Sequence, residues 1–391
     1  IIDLNHCRKK NIVALIWYIL LVGAEFCRAQ TKLLTYNAGL LGSIPYKEER
    51  GDYIATNIGH TDPDIICLQE VWLKRDVELL TSTNQNKYPY YYSAVDKESS
   101  SRPPCANISL ISVFFKILAN GCTKHATSTG KAQCATEKTG VMNLPQRCIS
   151  CLAIASTNDF SFPNLLRDCV VTTQGEVNLP GLVVLSKRPM LNPIVKYFLP
   201  TTKKTAYRGY IHFQDENVGD IACTHLTPLL GSIYIEPNLQ GIFEGYADQN
   251  FFETITLDND LSSSLRVVIM GDLNCGPGIP EKNIEEECEK SYYHFTLAGY
   301  TSPYVERVGL CTYCKDNELA LTQYDKTDLS ISSNIIDHIF VRGVYVVFVQ
   351  RVLTEYVPSL PYTPSDHYGV QATVVDKGNH VKVDVRYKEA N

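Results

Sequence analysis

The chain has 391 residues, enough for one large domain or two of ordinary size. Hydrophobic residues make up 45% of the chain and charged residues 20%, so a packed globular core is expected rather than a disordered chain. The 42 acidic residues outnumber the 36 basic ones, which argues against broad binding to a nucleic-acid backbone. A bound metal ion would still supply positive charge locally, so the charge balance does not exclude a nuclease.

The first 29 residues have the pattern of a secretory signal peptide. A basic segment at residues 6–10 precedes an apolar run over residues 11–24, which is too short to span a bilayer comfortably. Small residues, Cys27 and Ala29, follow at suitable positions for cleavage after Ala29. We therefore expect residues 30–391 to be the mature catalytic domain, secreted or in the lumen of the secretory pathway, with a net charge of (36 − 4) − (42 − 2) = −8. A membrane anchor is the alternative interpretation.

Apolar segments rich in β-branched residues predict buried strands along the rest of the chain. They span residues 32–38, 64–71, 181–187, 219–226, 266–274, 335–341 and 367–375. Apolar residues at helical spacing predict helices over residues 48–62 and 238–255. A strand–helix–strand start followed by a strand-rich remainder favours a layered α/β domain.

Six cysteines crowd into the segment of residues 99–170, which interrupts the strands and which we interpret as a Cys-rich insertion. They are Cys105, Cys122, Cys134, Cys148, Cys151 and Cys169. This density predicts disulfides formed in an oxidising compartment. A zinc site at Cys148-x-x-Cys151 and Cys311-x-x-Cys314 is the alternative. The sequence Asn107-Ile-Ser109, in the same segment, is an acceptor motif for N-glycosylation and would lie on an exposed surface if it is used.

Three other cysteines lie on or beside predicted strands. Cys67 and Cys223 fall in the middle of strands, where buried thiols are the expected state. Cys275 follows the strand at residues 266–274, and we expect it to pair with Cys288.

Polar side chains stand at the ends of the predicted strands, where they can converge on one rim of a sheet. They are Asn37, Glu70, His225, Asp272, Asn274, Asp337, Asp366 and His367. Carboxylates are ligands for Mg²⁺ or Ca²⁺, amides bind a metal or an anion, and imidazoles transfer protons. The chain has neither a phosphate-binding glycine loop with its lysine nor a G-x-S-x-G motif. This combination favours metal-assisted attack of water on a phosphate ester.

Seven segments resemble, in the same order, the motifs of the endonuclease/exonuclease/phosphatase superfamily, which includes DNase I-like enzymes. They are LTYNAGLL, DPDIICLQEVW, GLVVLSKRPM, CTHLTP, VVIMGDLNCGP, IIDHIFV and PSDHYGV, and they cover residues 31–376. Within the superfamily, LTYNAGLLG, GLVVLSKRP and THLTP are most similar to the secreted neutral sphingomyelinase C branch. The resemblance implies a four-layer α/β sandwich, with two mostly antiparallel sheets packed face to face and helices outside.

The resemblance also implies a metal site. Glu70 would hold the catalytic Mg²⁺, with Asn37 beside it and Asp366 near the metal or its water. Mn²⁺ and Ca²⁺ are the alternative ions.

The same resemblance implies catalytic roles for five residues. His367 would be the general base and Asp337 would orient it, while Asp272 would position the water. Asn274 would hold a phosphoryl oxygen, and His225 would stabilise developing charge or serve the leaving group. Lys187 is a weaker candidate for substrate binding, since a solvated loop lysine is nearly as good an interpretation.

The sequence thus predicts a secreted Mg²⁺-dependent phosphodiesterase that hydrolyses sphingomyelin to ceramide and phosphocholine. Its expected partner is phospholipid at a membrane surface, and no obligate protein partner is inferred. One alternative is a secreted DNase I-like endonuclease with nucleic acid as its substrate. Another is a catalytically silent binding protein on the same scaffold. A phosphoinositide phosphatase fits poorly with a signal peptide, because its substrates face the cytosol.

Overall fold

The structure is a computed structural model that describes part of the chain. The described residues are 30–95, 103–105, 109–124, 134–135, 137–158, 166–171, 177–198, 208–229, 243–323 and 332–376. The predicted signal peptide lies outside them. None of the helices within these ranges is long and apolar enough to cross a membrane.

Eleven strands form two sheets within the described ranges. The strands are β1 Gln30–Asn37, β2 Ile65–Gln69, β3 Tyr90–Ser93, β4 Val183–Ser186, β5 Leu191–Tyr197, β6 Gly209–Asp215, β7 Gly219–His225, β8 Val267–Asp272, β9 Asp337–Arg342, β10 Val344–Val352 and β11 Gly369–Asp376. The strand orders are β10-β11-β1-β2-β4-β3 and β5-β6-β7-β8-β9. Only the neighbours β1/β2 and β7/β8 run parallel, so both sheets are mostly antiparallel, as predicted.

Eight α-helices accompany the strands in the described part of the chain. They are α1 Lys47–Asn57, α2 Lys74–Asn84, α3 Ser109–Ala119, α4 Gln146–Asn158, α5 Tyr246–Leu261, α6 Glu289–Leu297, α7 Pro303–Arg307 and α8 Glu318–Leu321. The predicted helix over residues 48–62 is α1, which ends earlier. The one predicted over residues 238–255 is α5, which begins at Tyr246, while residues 238–242 lie outside the described ranges.

Three apolar layers hold the sandwich together. The inner layer, which includes Ile65, Ile221 and Met270, lies between the two sheets. One outer layer packs α1 and α2 on the sheet that contains β1, and the other packs α5 and α6 on the sheet that contains β8. The predicted α/β sandwich is confirmed. The seven predicted strands are present, but β3, β5, β6 and β10 were missed, because most of them carry exposed residues that break the apolar runs.

Three disulfides cross-link the Cys-rich segment internally. They join Cys105 to Cys148, Cys122 to Cys134, and Cys151 to Cys169. Residues of α3 and α4 form an apolar core with Trp72, Leu73 and Leu179 of the sandwich. Cys311 is bonded to Cys314, so the thiolates that the alternative zinc sites require are absent from both C-x-x-C motifs.

Two expectations about the remaining cysteines are wrong. Cys67 on β2 and Cys223 on β7 are not thiols but a disulfide that links the two sheets, with their Cα atoms 5.6 Å apart. Facing sheets usually lie about 10 Å apart, so the sheets approach each other closely at this point. Cys275 and Cys288 are not bonded. They flank the bridge between Gly276 and Glu287, but Cys288 has φ of 39°, so its side chain does not project as from an extended strand.

Removal of the cross-sheet disulfide should destabilise the fold. The bridge joins residues 156 positions apart, so it constrains a long loop of the unfolded chain. We expect Cys67→Ala/Cys223→Ala to lower the free energy of unfolding by about 2–4 kcal/mol, measured by urea denaturation. Cys311→Ala/Cys314→Ala, which opens a bridge of separation 3, is the matched control and should cost less. Equal losses in the two variants would contradict the argument.

Candidate active site

Strand direction brings the predicted polar residues to one edge of the sandwich. The parallel strands β1 and β2 end at Asn37 and just before Glu70, and the parallel strands β7 and β8 end at His225 and Asp272. The antiparallel strand β9 begins at that same edge, where Asp337 pairs with Asp272. Strand β11 likewise begins there, preceded by the other Asp-His pair. Eight of the nine predicted site residues therefore meet; they are Asn37, Glu70, His225, Asp272, Asn274, Asp337, Asp366 and His367.

Asp272 lies at the centre of this cluster. Its Oδ2 atom accepts a hydrogen bond from Asn37 Nδ2 at 2.9 Å and lies 3.3 Å from His225 Nε2. Its Oδ1 atom accepts a hydrogen bond from the backbone N–H of Asn274 at 3.0 Å. The Asn274 side chain donates to Leu226 O at 2.9 Å, so part of this amide is used to hold the loop. Burial and the neighbouring Asp337 raise the pKa of Asp272.

His367 is surrounded by three aspartates, of which one is within hydrogen-bond distance. Its Nδ1 atom lies 2.9 Å from Asp337 Oδ2. Its Nε2 atom lies 3.9 Å from Asp272 Oδ2 and 4.0 Å from Asp366 Oδ2. Both of these distances are longer than a hydrogen bond, so Nε2 can still bind a water molecule or substrate. The ring of Tyr313 packs against the imidazole with the ring centroids 5.0 Å apart, which fixes its orientation.

The pKa values of the two site histidines are shifted in opposite directions. Burial alone would lower the pKa of His367, but Asp337, Asp272 and Asp366 raise it well above its ordinary value. Burial and the nearby Arg208 lower the pKa of His225 well below its ordinary value, so His225 is neutral. Opposed shifts of this kind assign different proton-transfer roles to two residues of the same type.

A turn that includes Thr312 and Tyr313 holds the aspartate and the histidine in register. Thr312 Oγ1 accepts a hydrogen bond from the backbone N–H of Asp337 at 3.1 Å, and Thr312 O accepts one from Tyr368 N at 2.8 Å. The Cys311–Cys314 disulfide closes this turn. The bridge therefore supports the His367–Asp337 pair.

Glu70 occupies a strained position beside Asp366. Its φ is 57°, in the left-handed region that costs an ordinary L-residue about 1–2 kcal/mol. Asn37 Nδ2 donates to Glu70 Oε1 at 3.4 Å, while Asn37 Oδ1 accepts from Gly39 N at 3.0 Å. The amide therefore presents its nitrogen, not its oxygen, to Glu70, and the structure does not place Asn37 as the predicted metal ligand. Burial and the charge on Asp366 raise the pKa of Glu70.

The charges of this cluster fit a divalent cation. Arg208 and His367 lie among four carboxylates, so acidic groups outnumber basic ones in the cluster; the carboxylates are Glu70, Asp272, Asp337 and Asp366. Without a cation such a cluster would repel an anionic phosphate. Glu70 and Asp366 supply the hard oxygen ligands that Mg²⁺, Mn²⁺ and Ca²⁺ bind. The residues therefore fit the cation that the sequence predicts, with Asp366 also accepting from Gln323 Nε2 at 2.6 Å.

Buried residues that sequence reasoning missed position the two halves of this cluster. Arg50, fully buried, donates to Gly39 O at 2.9 Å and to Pro364 O at 3.0 Å. Ser365 Oγ donates to Asn37 O at 2.7 Å. Gly39 has φ of 53°, and a Cβ atom there would lie 2.4 Å from Asp366 Oδ1. Only the glycine in LTYNAGLL signals this close approach in the sequence.

Arg208 is another buried residue of the site that was not predicted from the sequence. It is 3% exposed, and its guanidinium interacts electrostatically with Glu253, Glu70 and Asp272. It also lies 5.9 Å from the ring centroid of Trp72. Arg208 directly precedes β6, and the first residue of β6, Gly209, pairs with His225 at the end of β7. A basic residue next to an apolar strand was therefore the sequence signal that could have indicated Arg208 as a site residue.

The segment after His225 is held by hydrogen bonds to side chains of α5. Glu253 accepts hydrogen bonds from Thr227 N and Thr227 Oγ1, both at 2.8 Å. Asn250 donates to Thr227 O at 2.7 Å. These buried contacts hold Thr227, two residues after His225, against α5.

Lys187, the weaker candidate for substrate binding, is not brought together with the other predicted site residues. Its Nζ atom pairs with Asp62 at 2.7 Å and with Asp64 at 3.1 Å. Both partners precede β2, whereas Glu70 follows that strand. Because β4 runs antiparallel to β2, Lys187 falls at the opposite end of the sheet.

His338, the second member of the other Asp-His pair, faces away from the cluster. Its Nε2 atom lies 2.8 Å from Cys275 O, and its Nδ1 atom lies 3.1 Å from Ser302 Oγ. Its ring stacks on Phe340. Burial lowers the pKa of His338 to about 4, so it is a neutral structural residue.

Residues 34–367 match the Endonuclease/Exonuclease/phosphatase family. The chain belongs to this family. The family consists of metal-dependent phosphoryl hydrolases, which agrees with the acidic and imidazole groups gathered at the sheet edge. A comparison with curated protein sequences finds no match.

Solved structures of the Endonuclease/Exonuclease/phosphatase fold resemble this chain at low sequence identity. An endonuclease/exonuclease/phosphatase from Beutenbergia cavernae is 14% identical with a TM-score of 0.50, over 90% of this chain and 72% of that one. TDP2 from D. rerio, complexed with a single-strand DNA product, is 13% identical with a TM-score of 0.50, over 88% and 99%. Sphingomyelinase C from Streptomyces griseocarneus is 16% identical with a TM-score of 0.47, over 88% and 99%.

Proposed function

We propose that the chain is a secreted, divalent-cation-dependent phosphodiesterase that hydrolyses sphingomyelin to ceramide and phosphocholine. The observation that carries the phosphodiesterase chemistry is the pairing of His367 with Asp337 beside Asp272 and the Glu70–Asp366 carboxylates. Among the hydrogen bonds of the described residues, no Ser, Thr or Cys side chain contacts His367 Nε2, so water is the nucleophile that the site favours.

In this mechanism the neutral form of His367 removes a proton from water. A cation held by Glu70 and Asp366 would offset the acidic charge that raises the pKa of His367, and so would favour this neutral form. Its Nε2 atom faces the space between Asp272 and Asp366, where a water molecule would be within reach of all three groups. Asp337 holds the ring through Nδ1 and stabilises the imidazolium that forms. The hydroxide forms a bond to phosphorus as the bond from phosphorus to the ceramide oxygen breaks, and the departing alkoxide takes up a proton from solvent.

The other residues stabilise the charge that develops on the phosphoryl group. Arg208 supplies a fixed positive charge, and neutral His225, whose Nε2 atom lies 3.3 Å from Asp272 Oδ2, stands beside the reacting group. Glu70 and Asp366 would hold the divalent cation, which polarises a phosphoryl oxygen and makes bound water more acidic. Asn37, through its contacts with Glu70 and Asp272, sets the spacing between the ion-binding and water-positioning carboxylates.

The choice of sphingomyelin rests on the sequence motifs that resemble the neutral sphingomyelinase branch and on the net acidic charge. Nucleic-acid binding depends on Lys and Arg contacts to phosphates. Lys187, the lysine expected to bind substrate, is held by acidic partners far from the cluster, which weakens the case for a backbone-binding groove.

Secretion is part of the same proposal. The disulfides require an oxidising compartment, and the N-terminal 29 residues have the pattern of a cleaved leader. In this proposal residues 30–391 form the catalytic domain, interrupted by a Cys-rich insertion at about residues 99–170.

A parallel assay tests the substrate. The purified chain is given sphingomyelin in detergent micelles or plasmid DNA, each with Mg²⁺ and with EDTA. We expect phosphocholine release that depends on Mg²⁺ and no DNA cleavage. DNA cleavage without phosphocholine release would make the chain a nuclease, and no hydrolysis of either substrate would favour a silent binding protein.

A further inference from the structure

The helix α3 of the Cys-rich segment is apolar on both of its faces. Val113 and Ile117 on one face are 5% and 8% exposed and pack into the core of the segment. Ile111, Phe115 and Leu118 on the opposite face are 50%, 65% and 48% exposed. Their spacing of four and three residues places them in one stripe along the helix. The stripe is a contiguous apolar surface on an element that the disulfides of its segment hold in place.

The charge around this stripe is opposite to that of the chain. Residues 99–136 contain four basic residues and no Asp or Glu, although acidic residues predominate over the whole sequence. Lys116 and Lys124, both exposed, lie next to the stripe and at the end of the following turn. An apolar stripe with lysines at its margin suits the boundary between the acyl chains and the anionic phosphates of a phospholipid surface.

The stripe is connected to the active site through one continuous core. Val113 and Ile117 share an apolar cluster with Trp72, which lies two residues after Glu70. The other side of Trp72 meets the site, with its ring centroid 6.4 Å from that of His225. The core that carries the stripe is therefore packed directly on residues of the catalytic edge.

We propose that the stripe of Ile111, Phe115 and Leu118 docks the enzyme on the surface of a phospholipid bilayer. This inference rests on the proposed function and extends it, because it names the surface from which the lipid substrate is taken. The convex stripe carries no polar side chain that would specify a protein partner, whereas a fluid bilayer requires only apolar area and favourable charge.

Vesicle sedimentation tests the docking surface without any catalysis. The probe is a vesicle of phosphatidylcholine and phosphatidylserine, free of sphingomyelin, in buffer with EDTA. We expect Phe115→Ser to weaken vesicle binding about tenfold or more. The variant loses an aromatic side chain that would be buried in the bilayer when the protein is bound. Phe115→Leu, which keeps the site apolar, should bind nearly as the wild type does. The Asn107→Gln background removes any glycan that precedes the helix.

Phe348 supplies the matched control. Phe348 is 51% exposed and lies on β10, outside the Cys-rich segment. Phe348→Ser should therefore leave vesicle binding unchanged. Equal thermal unfolding midpoints would show that each variant is folded. Unchanged binding in Phe115→Ser, an equal loss in Phe348→Ser, or a wild-type dimer that Phe115→Ser dissociates would each overturn the docking proposal.

Failure of the docking proposal is distinguishable from failure of the proposed function. An enzyme that releases phosphocholine from detergent micelles but binds vesicles independently of Phe115 keeps the function and loses the docking site. A chain whose vesicle binding requires Phe115 but which leaves micellar sphingomyelin intact keeps the docking site and loses the substrate.

Discussion

His367→Ala should lower the turnover number for sphingomyelin by about 10²–10⁴, the range that a positioned general base contributes. The imidazole is the group of the cluster whose unpaired nitrogen faces both Asp272 and Asp366, while its other nitrogen is held by Asp337 at 2.9 Å. The alanine variant lacks both the nitrogen that accepts the proton and the imidazolium ion that Asp337 would stabilise. The measurement is phosphocholine release at saturating Mg²⁺ and substrate, so that the loss is assigned to turnover and not to binding.

His212→Ala is the control for this prediction. His212 also forms a close pair with a carboxylate, Asp220 at 2.7 Å, but it lies on β6 away from the catalytic edge. It should retain nearly full activity. If the two variants lost activity equally, or if His367→Ala kept more than about a tenth of the wild-type rate, His367 would not be the general base.

Glu70→Gln should abolish the response to divalent cations and lower activity by about 10³, since a Lewis-acid metal is worth several kcal/mol. Glutamine keeps the shape of the side chain and removes its charge. Burial and Asp366 raise the pKa of Glu70, so the ionised carboxylate is unfavourable in the folded protein when no cation is bound. In EDTA the variant should therefore be at least as stable as the wild type. In Mg²⁺ only the wild type should gain stability, because the ion binds the folded state.

Thermal unfolding with increasing Mg²⁺ measures this difference, and Asp316→Asn is its control. Asp316 is exposed. With Cys311 and Cys314 it forms one of two groups of potential metal ligands in the described part of the chain, and the other group is Asp272, Asp337 and His367. Because the sulfur atoms of Cys311 and Cys314 are bonded to each other, these residues do not offer thiolates to a metal ion. The Asp316→Asn variant should therefore respond to Mg²⁺ as the wild type does. A Glu70→Gln protein that Mg²⁺ still stabilises to the same extent would show that the ion binds elsewhere.

The strands and the edge where they end were predictable because both follow from local patterns. A buried strand must be apolar, so a polar residue directly after it marks the rim of a sheet, as Glu70 and Asp272 do. The alternation of side chains along β9 likewise separates Asp337 from His338, one toward His367 and the other into the core. Exposed strands such as β10 lack this signal.

Contacts between distant segments were not predictable, because no local pattern records them. The Cys67–Cys223 bridge depends on how one sheet lies over the other, and neither strand alone distinguishes a thiol from half of a disulfide. Lys187 lies within a family-like motif, but its partners, Asp62 and Asp64, come from the loop before β2. Arg208 and Arg50 became visible as site residues only when burial placed them beside the carboxylates.

The cross-sheet disulfide also determines what proteolysis can do to this enzyme. The Cys-rich segment lies entirely between Cys67 and Cys223, so a single cut within it leaves both halves of the chain covalently joined. The half that carries Glu70 upstream of the cut and the half that carries His225 and His367 would separate only on reduction. A chain cut once in this segment would therefore persist as a two-chain form, which runs as one band on a denaturing gel without reductant and as two bands with it.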